Sequence, residues 1–159
     1  MSSKARDVNR RLLDQARELG AREAGLAVVT TSRADGSCQA SVVNAAVLEH
    51  PVTSEPVVGF VARGGARKLV NLRVRPLLTV VFRSGWEWVA VEGEADLAGP
   101  DDPYERMTPS DVRRLLREIY AAAVGGTTDE WAELDGTMVA ERHTAVLIRP
   151  RRIYSNPGA

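Results

Sequence analysis

The sequence of 159 residues is poor in the side chains that most often carry catalysis: it has one cysteine (Cys38), two histidines (His50 and His143) and 5% aromatic residues. A lone cysteine excludes an intrachain disulfide. The opening Met1-Ser2-Ser3-Lys4-Ala5-Arg6 leads into a charged amphipathic stretch with no apolar signal core, so a reducing, cytoplasmic setting is expected. No apolar run approaches the roughly 20 residues of a membrane span, and no membrane partner is expected. The 21 basic residues are balanced by 21 acidic ones, which argues against wholesale binding of nucleic acid. No serine sits in a Gly-x-Ser-x-Gly setting, and no His/Cys/Asp/Glu set has zinc or EF-hand spacing. Cys38 has no neighbour besides Arg33 to lower its thiol pKa and reads as a half-buried filler. His50 precedes Pro51 in a loop and His143 opens a strand, both reading as structural or surface residues. The catalytic residue is therefore unassigned.

One local absence is more informative. Between Pro56 and Trp86 there is no acidic residue, while Arg63, Arg67, Lys68, Arg73, Arg75 and Arg83 all fall there. Arg63-Gly64-Gly65-Ala66-Arg67-Lys68 brackets a helix start, where free N–H groups and the positive end of the helix dipole already repel cations. Basic side chains there cost stability unless an anion sits among them. Arg67, Lys68, Asn71 and Arg75 share one helical face at i, i+4 spacing, with Leu69 and Leu72 on another. Trp86 and Trp88 add flat apolar surface next in sequence. Two readings stay open on these residues: a phosphate site with an aromatic wall, or a solvated basic face beside core tryptophans.

The elements read as one domain spanning 1–159, at 44% hydrophobic and 26% charged residues. Val8, Leu12, Leu13, Ala16 and Leu19 predict an amphipathic N-terminal helix over 1–20. Strands are expected at Leu26–Thr31, Cys38–Leu48 after the Asp35-Gly36 turn, Val57–Val61, Leu77–Phe82 and from Trp86 past Glu94, with a short helix from Ala66 to Arg75 stopped by Pro76. Glu92, Glu94 and Asp96 alternate along the fifth strand as a solvent-facing row. A helical pair over 109–141 follows, with caps at Thr108-Pro109-Ser110-Asp111 and at Thr127-Thr128-Asp129-Glu130, before a closing strand over 143–154. Strands first, then helices, then a closing strand give a β-rich α+β chain: a six-stranded barrel with helices packed on its outside.

The run from Ala66-Arg67-Lys68-Leu69-Val70-Asn71-Leu72 to Pro76, followed by Gly85-Trp86-Glu87-Trp88-Val89-Ala90-Val91-Glu92-Gly93-Glu94, resembles the pyridoxamine 5'-phosphate oxidase-like flavoproteins. Their fold is a six-stranded antiparallel split β-barrel with flanking helices. The tail, with Trp131, Met138, Ala140-Glu141-Arg142-His143 and Arg149-Pro150 before Ile153-Tyr154-Ser155, is similar to the branch that uses the deazaflavin coenzyme F420 in place of FMN. The likeness runs from about Gly25 to Ser155. It implies a homodimer with the cofactor phosphate near the short helix and the ring between subunits. On that likeness Lys68 is the phosphate lysine, Ala66, Arg67 and Arg63 are further contacts to phosphate and acidic tail, Ser41 and Val43 line the cofactor, and Trp86 approaches it. Val70 departs from relatives that often carry another basic residue there. The implied function is hydride transfer between F420 and a small conjugated substrate. Alternatives are an FMN enzyme acting on a phosphorylated pyridoxine-like vitamer, which needs a second basic cluster, and a non-catalytic flavin- or haem-binding protein, which needs a well-placed histidine. A nucleic-acid module using the 63–83 stretch is opposed by the even charge elsewhere.

Overall fold

A computed structural model describes residues 2–125 and 131–156. Six strands, β1 (Leu26–Ser32), β2 (Cys38–Glu49), β3 (Pro56–Ala62), β4 (Leu77–Ser84), β5 (Glu87–Ala98) and β6 (Thr144–Ser155), close a barrel in the order β1-β2-β3-β6-β5-β4. Every neighbouring pair is antiparallel. Alternate residues point inward, so Ala27 and Val29 of β1, Val80 and Phe82 of β4, and Val89 and Val91 of β5 form one core with Phe60, Val146 and Ile148.

A closed barrel still has two open mouths, and two helices fill them. Helix α1 (Ser3–Arg22) starts where the Ser2 hydroxyl accepts the Ala5 N–H at 3.1 Å. Leu13, Ala16 and Leu19, at helical spacing, join the interior core rather than an outer layer. The helix touches β2, β4, β5 and β6, strands on opposite sides of the barrel, as a plug across the mouth must. The other mouth is occupied by α2 (Arg67–Val74), whose Leu69 and Leu72 enter the same core. Each such leucine contributes roughly 1.5–3 kcal/mol by leaving water. These two helices flank the barrel at its ends rather than along its sides. Helices α3 (Pro109–Val124) and α4 (Trp131–Ala140) do lie outside, packing Leu115, Leu116, Ile119 and Met138 on Val57, Ala145 and Leu147. Thr108 and Asp111 cap α3 reciprocally, with Pro109 in its first turn. The second expected cap, at 127–130, lies outside the described residues.

Strand β5 runs on to Ala98 because Ala95–Ala98 pair with β6 residues 145–148, a partner no local alternation reveals. The carboxylates of Glu92, Glu94 and Asp96 meet the arginines of β6: Arg149 Nε lies 3.1 Å from Asp96, Arg151 bonds Glu94, and Arg152 stands 4.0 Å from Glu92. The row reads as a cross-strand ion ladder on a partly exposed face. The pairing register shifts between Glu92 and Gly93, so that Gly93 faces Pro150, which has no N–H to donate. A Cβ on Gly93 would stand 2.1 Å from the Arg149 carbonyl oxygen and 2.9 Å from Ile148 Cγ2. Gly93→Ala should therefore destabilise the fold by about 3 kcal/mol in urea unfolding, while Gly36→Ala, with nothing within 4 Å of the added atom, should be penalised only for its positive φ.

Candidate functional site

The start of α2 lacks every ordinary helix cap. Ala66 occupies the N-cap position with no side-chain acceptor, and the first turn has no acidic residue. Gly65, at φ +80°, turns the preceding loop into the helix, a conformation that favours glycine. No acceptor among the described residues meets the N–H groups of Arg67 and Lys68. Lys68 is half-buried and has no ion pair there, and its burial pulls the ammonium pKa below its ordinary 10.5. Desolvated positive charge at the positive end of a helix is a local cost that a bound anion would reverse.

Strand β2 supplies the neighbouring wall. Its inner face carries Gln39, Ser41 and Val43, whose register partners on β1 are Thr31, Val29 and Ala27, all buried. β3 pairs with β2 only from Ala45 to Glu49, so the stretch 39–44 has a bare edge on that side. The loop after β3 and α2 run beside this edge. Asn71 Nδ2 reaches Gln39 Oε1 at 3.3 Å and Thr31 Oγ1 at 3.0 Å, and Ala66 and Val43 pack against the same core. Asn71 of α2 thus reaches the inner face of β2 at Gln39, next to Ser41 in the alternation.

The other candidates are engaged or placed elsewhere. Arg63 forks onto Glu141, at 3.1 and 2.9 Å, and is committed to the junction between α4 and β6. Trp86 is 94% exposed on the turn between β4 and β5. That turn lies at the mouth opposite α2, with β4 spanning roughly 25 Å between them, so Trp86 and Lys68 of the same chain do not share a site. Trp88 packs edge-on to Tyr154, ring centroids 6.0 Å apart. The polar face read on α2 is also smaller than expected: Asn71 is 4% exposed, and Arg75 Nε donates to the Ser32 carbonyl at 2.9 Å. Arg73 forks onto Asp102 at 2.8 and 2.7 Å. Arg67 and Lys68 are what remains of the free basic face.

Both histidines are structural in their contacts. His50, read as a loop residue, is 1% exposed. Its Nδ1 accepts the Val52 N–H at 3.1 Å, so the proton sits on Nε2, which donates to Asp96 Oδ2 at 3.0 Å. The ring therefore pins the turn between β2 and β3 onto β5. His143 Nε2 lies 2.8 Å from Glu141 Oε2. Cys38 is exposed, contrary to the half-buried filler expected, because the first residues of β2 have only one neighbouring strand.

The sequence also hid an apolar outer face. Val42, Val28, Val81, Ala90 and Tyr154 form a continuous cross-strand row, with Val42 65% exposed and Val28 42%. Leu26 and Leu77 are exposed beside it. The signal was present in Leu26-Ala27-Val28-Val29 and Ser41-Val42-Val43, where both faces of a strand are apolar.

No protein-family profile and no curated protein sequence matches the chain. Solved structures do. The conserved hypothetical protein Rv2991 of Mycobacterium tuberculosis superposes with a TM-score of 0.60 at 19% identity, over 82% of this chain and 75% of that one. A pyridoxamine 5'-phosphate oxidase-related, FMN binding protein of Nostoc punctiforme superposes at 0.62 and 14% identity, over 98% and 84%. An F420 reductase superposes at 0.50 and 17% identity, over 81% and 88%. The barrel belongs to the α+β class of split barrels. Its fold is that of the pyridoxamine 5'-phosphate oxidase-related proteins.

Because the folded pKa of Lys68 is below its unfolded value, the unfolded chain binds more protons between the two, and stability rises with pH across that window. Lys68→Met should therefore melt higher than the parent near pH 8, by up to roughly 2 °C, with the gap closing towards about pH 10.5 as the lysine loses its proton. Thermal melts of both proteins across that range are the measurement.

Proposed function

We propose that the protein is a homodimeric oxidoreductase holding a phosphate-bearing, flavin-type cofactor at α2, with the deazaflavin F420 preferred to FMN. The observation that carries this reading is the uncapped start of α2 with a desolvated Lys68 that has no ion-pair partner among the described residues. Such a start fits a phosphate, and the residues present fit the group. Lys68 and the N–H groups of the first turn would hold the phosphate, Arg67 would meet an acidic tail, and Ser41 and Val43 would line the body of the cofactor. The cofactor supplies the hydride chemistry, so the chain need only bind, orient and shield it and a small conjugated substrate.

The apolar row Val42–Val28–Val81 beside the bare edge of β2 supports a two-fold partner on this face. A partner is also what the position of Trp86 calls for, since only another copy's Trp86 could cover a cofactor at α2. The vitamer reading needs a second phosphate site, but Arg63, Arg73 and Arg142 near α2 are paired with Glu141, Asp102 and Asp101. The haem reading needs an accessible imidazole nitrogen, but both nitrogens of His50 are bonded, and His143 has Nε2 on Glu141 and a buried Nδ1.

Spectroscopic titration with F420, FMN, FAD and haem tests the proposal. F420 should bind most tightly, and Lys68→Ala should weaken it about 10- to 100-fold, as expected for loss of a hydrogen bond to a charged group. Binding should fall together with dimer content on dilution, followed by sedimentation. Tight FMN binding without F420 binding would replace the deazaflavin by a flavin. Unchanged affinity in Lys68→Ala would remove the phosphate assignment.

A further inference from the structure

The cavity between α3, α4 and the loop 99–107 has the features of a small-molecule site away from the start of α2. Its volume is about 380 Å³, and its apolar wall includes Tyr104, Met107, Val112, Leu116 and Met138. Sites for small ligands run from roughly 300 to 1,000 Å³, so this one suits a molecule of one or two rings. An aromatic side chain and two unbranched, polarisable thioethers favour a flat apolar body over a sugar or a free phosphate.

The charges on the wall decide what else the ligand carries. They belong to Arg113, Asp135 and Arg142. Arg142 is neutralised by Asp101, its Nε donating to Oδ2 at 3.1 Å, and Asp135 by Arg117, whose Nε donates to Oδ1 at 2.9 Å. His143 also borders the cavity, but its Nε2 is on Glu141 and its Nδ1 is buried, so it offers the ligand nothing. Arg113 is the surplus, with no ion pair among the described residues. It stands one helical turn before Arg117 on α3 and next to Val112, which walls the cavity together with Leu116, so this side of the helix is turned to α4. The charge of Arg113 also reaches Asp135 on the opposite wall: that carboxyl is held below its ordinary 3.8 by the Arg117 hydrogen bond first, and then by the charges of Arg117 and Arg113. The side chain of Arg113 remains open to solvent at the rim.

An apolar hollow with one unbalanced cation at its rim fits a ligand that is apolar at one end and singly anionic at the other. A carboxylate matches the planar fork of a guanidinium. We infer that the cavity between α3 and α4 binds a small aryl carboxylate, its ring among Tyr104, Met107 and Met138 and its carboxylate on Arg113. The inference does not rest on the cofactor reading.

The pair p-toluate and p-toluamide tests it, since the amide keeps the size and shape of the acid without its charge. At low salt the full chain should bind p-toluate at least about fivefold more tightly, the upper range of one exposed ion pair, and the preference should shrink as salt is added. Arg113→Gln should bring the two probes to the same affinity. Arg114→Gln removes the same charge from the next residue, which borders a different hollow beside Glu49 and Glu118, and should keep the preference. Both arginines are exposed, so neither change should disturb folding. The chain has three methionines, so methyl-labelled methionine gives a readable spectrum, in which the Met107 and Met138 signals should move with either probe. Absence of p-toluate binding at millimolar concentration, equal affinity of the wild-type chain for the two probes, a preference that survives Arg113→Gln or is lost equally in Arg114→Gln, or binding that leaves both methionine signals in place would each overturn the proposal.

Discussion

A barrel that closes on itself leaves little free sheet edge, here the stretch 39–44 of β2, but it must still hide the apolar side chains visible through its two mouths. This requirement shapes the rest of the molecule. Helix α1 answers it at one mouth with Leu13, Ala16 and Leu19, and α2 answers it at the other with Leu69 and Leu72. Because α2 is only eight residues long, burying its leucines also fixes where its uncapped start must lie. The candidate anion site is thus tied to core formation. Leu69 adjoins Lys68 in sequence, so the group that would hold a phosphate is carried on the same turn as a core anchor.

Much of the architecture was legible because it is local. Alternation marked the strands, the Asp35-Gly36 turn marked the first hairpin, and Thr108-Pro109-Ser110-Asp111 marked the start of α3. What was not legible depended on residues far apart in the chain. Asn71 has the spacing of a surface residue, yet it is buried because Thr31 and Gln39 arrive to bond it. Arg73 looks free until Asp102 is brought against it, as Arg63 does until Glu141 is. Trp86 is close to Lys68 in sequence only in the sense that one strand separates them, and a strand carries its ends apart. Helices that plug a barrel and helices that coat it have the same amphipathic pattern, so the distinction between α1 and α3 had to come from the fold.

The zero net charge conceals an uneven arrangement of that charge. Acids absent from 56–86 in sequence are returned to it in space by the 99–107 loop and by the junction of α4 and β6, through Asp102 and Glu141. These contacts neutralise the flanks of the basic stretch and leave its centre, Arg67 and Lys68, without described carboxylate partners. Selective pairing of this kind makes an anion site more specific than a uniformly basic surface, which would attract any polyanion.

The half-paired strand β2 bears on how the chain survives in a crowded cell. Along 39–44 it presents unused backbone donors and acceptors beside Val42 and Val28, with no charged residue in the segment to discourage strand addition. A newly made chain therefore displays an adhesive strip from the moment β1 and β2 form their hairpin, and the higher its concentration the more that strip is exposed to haphazard strand addition.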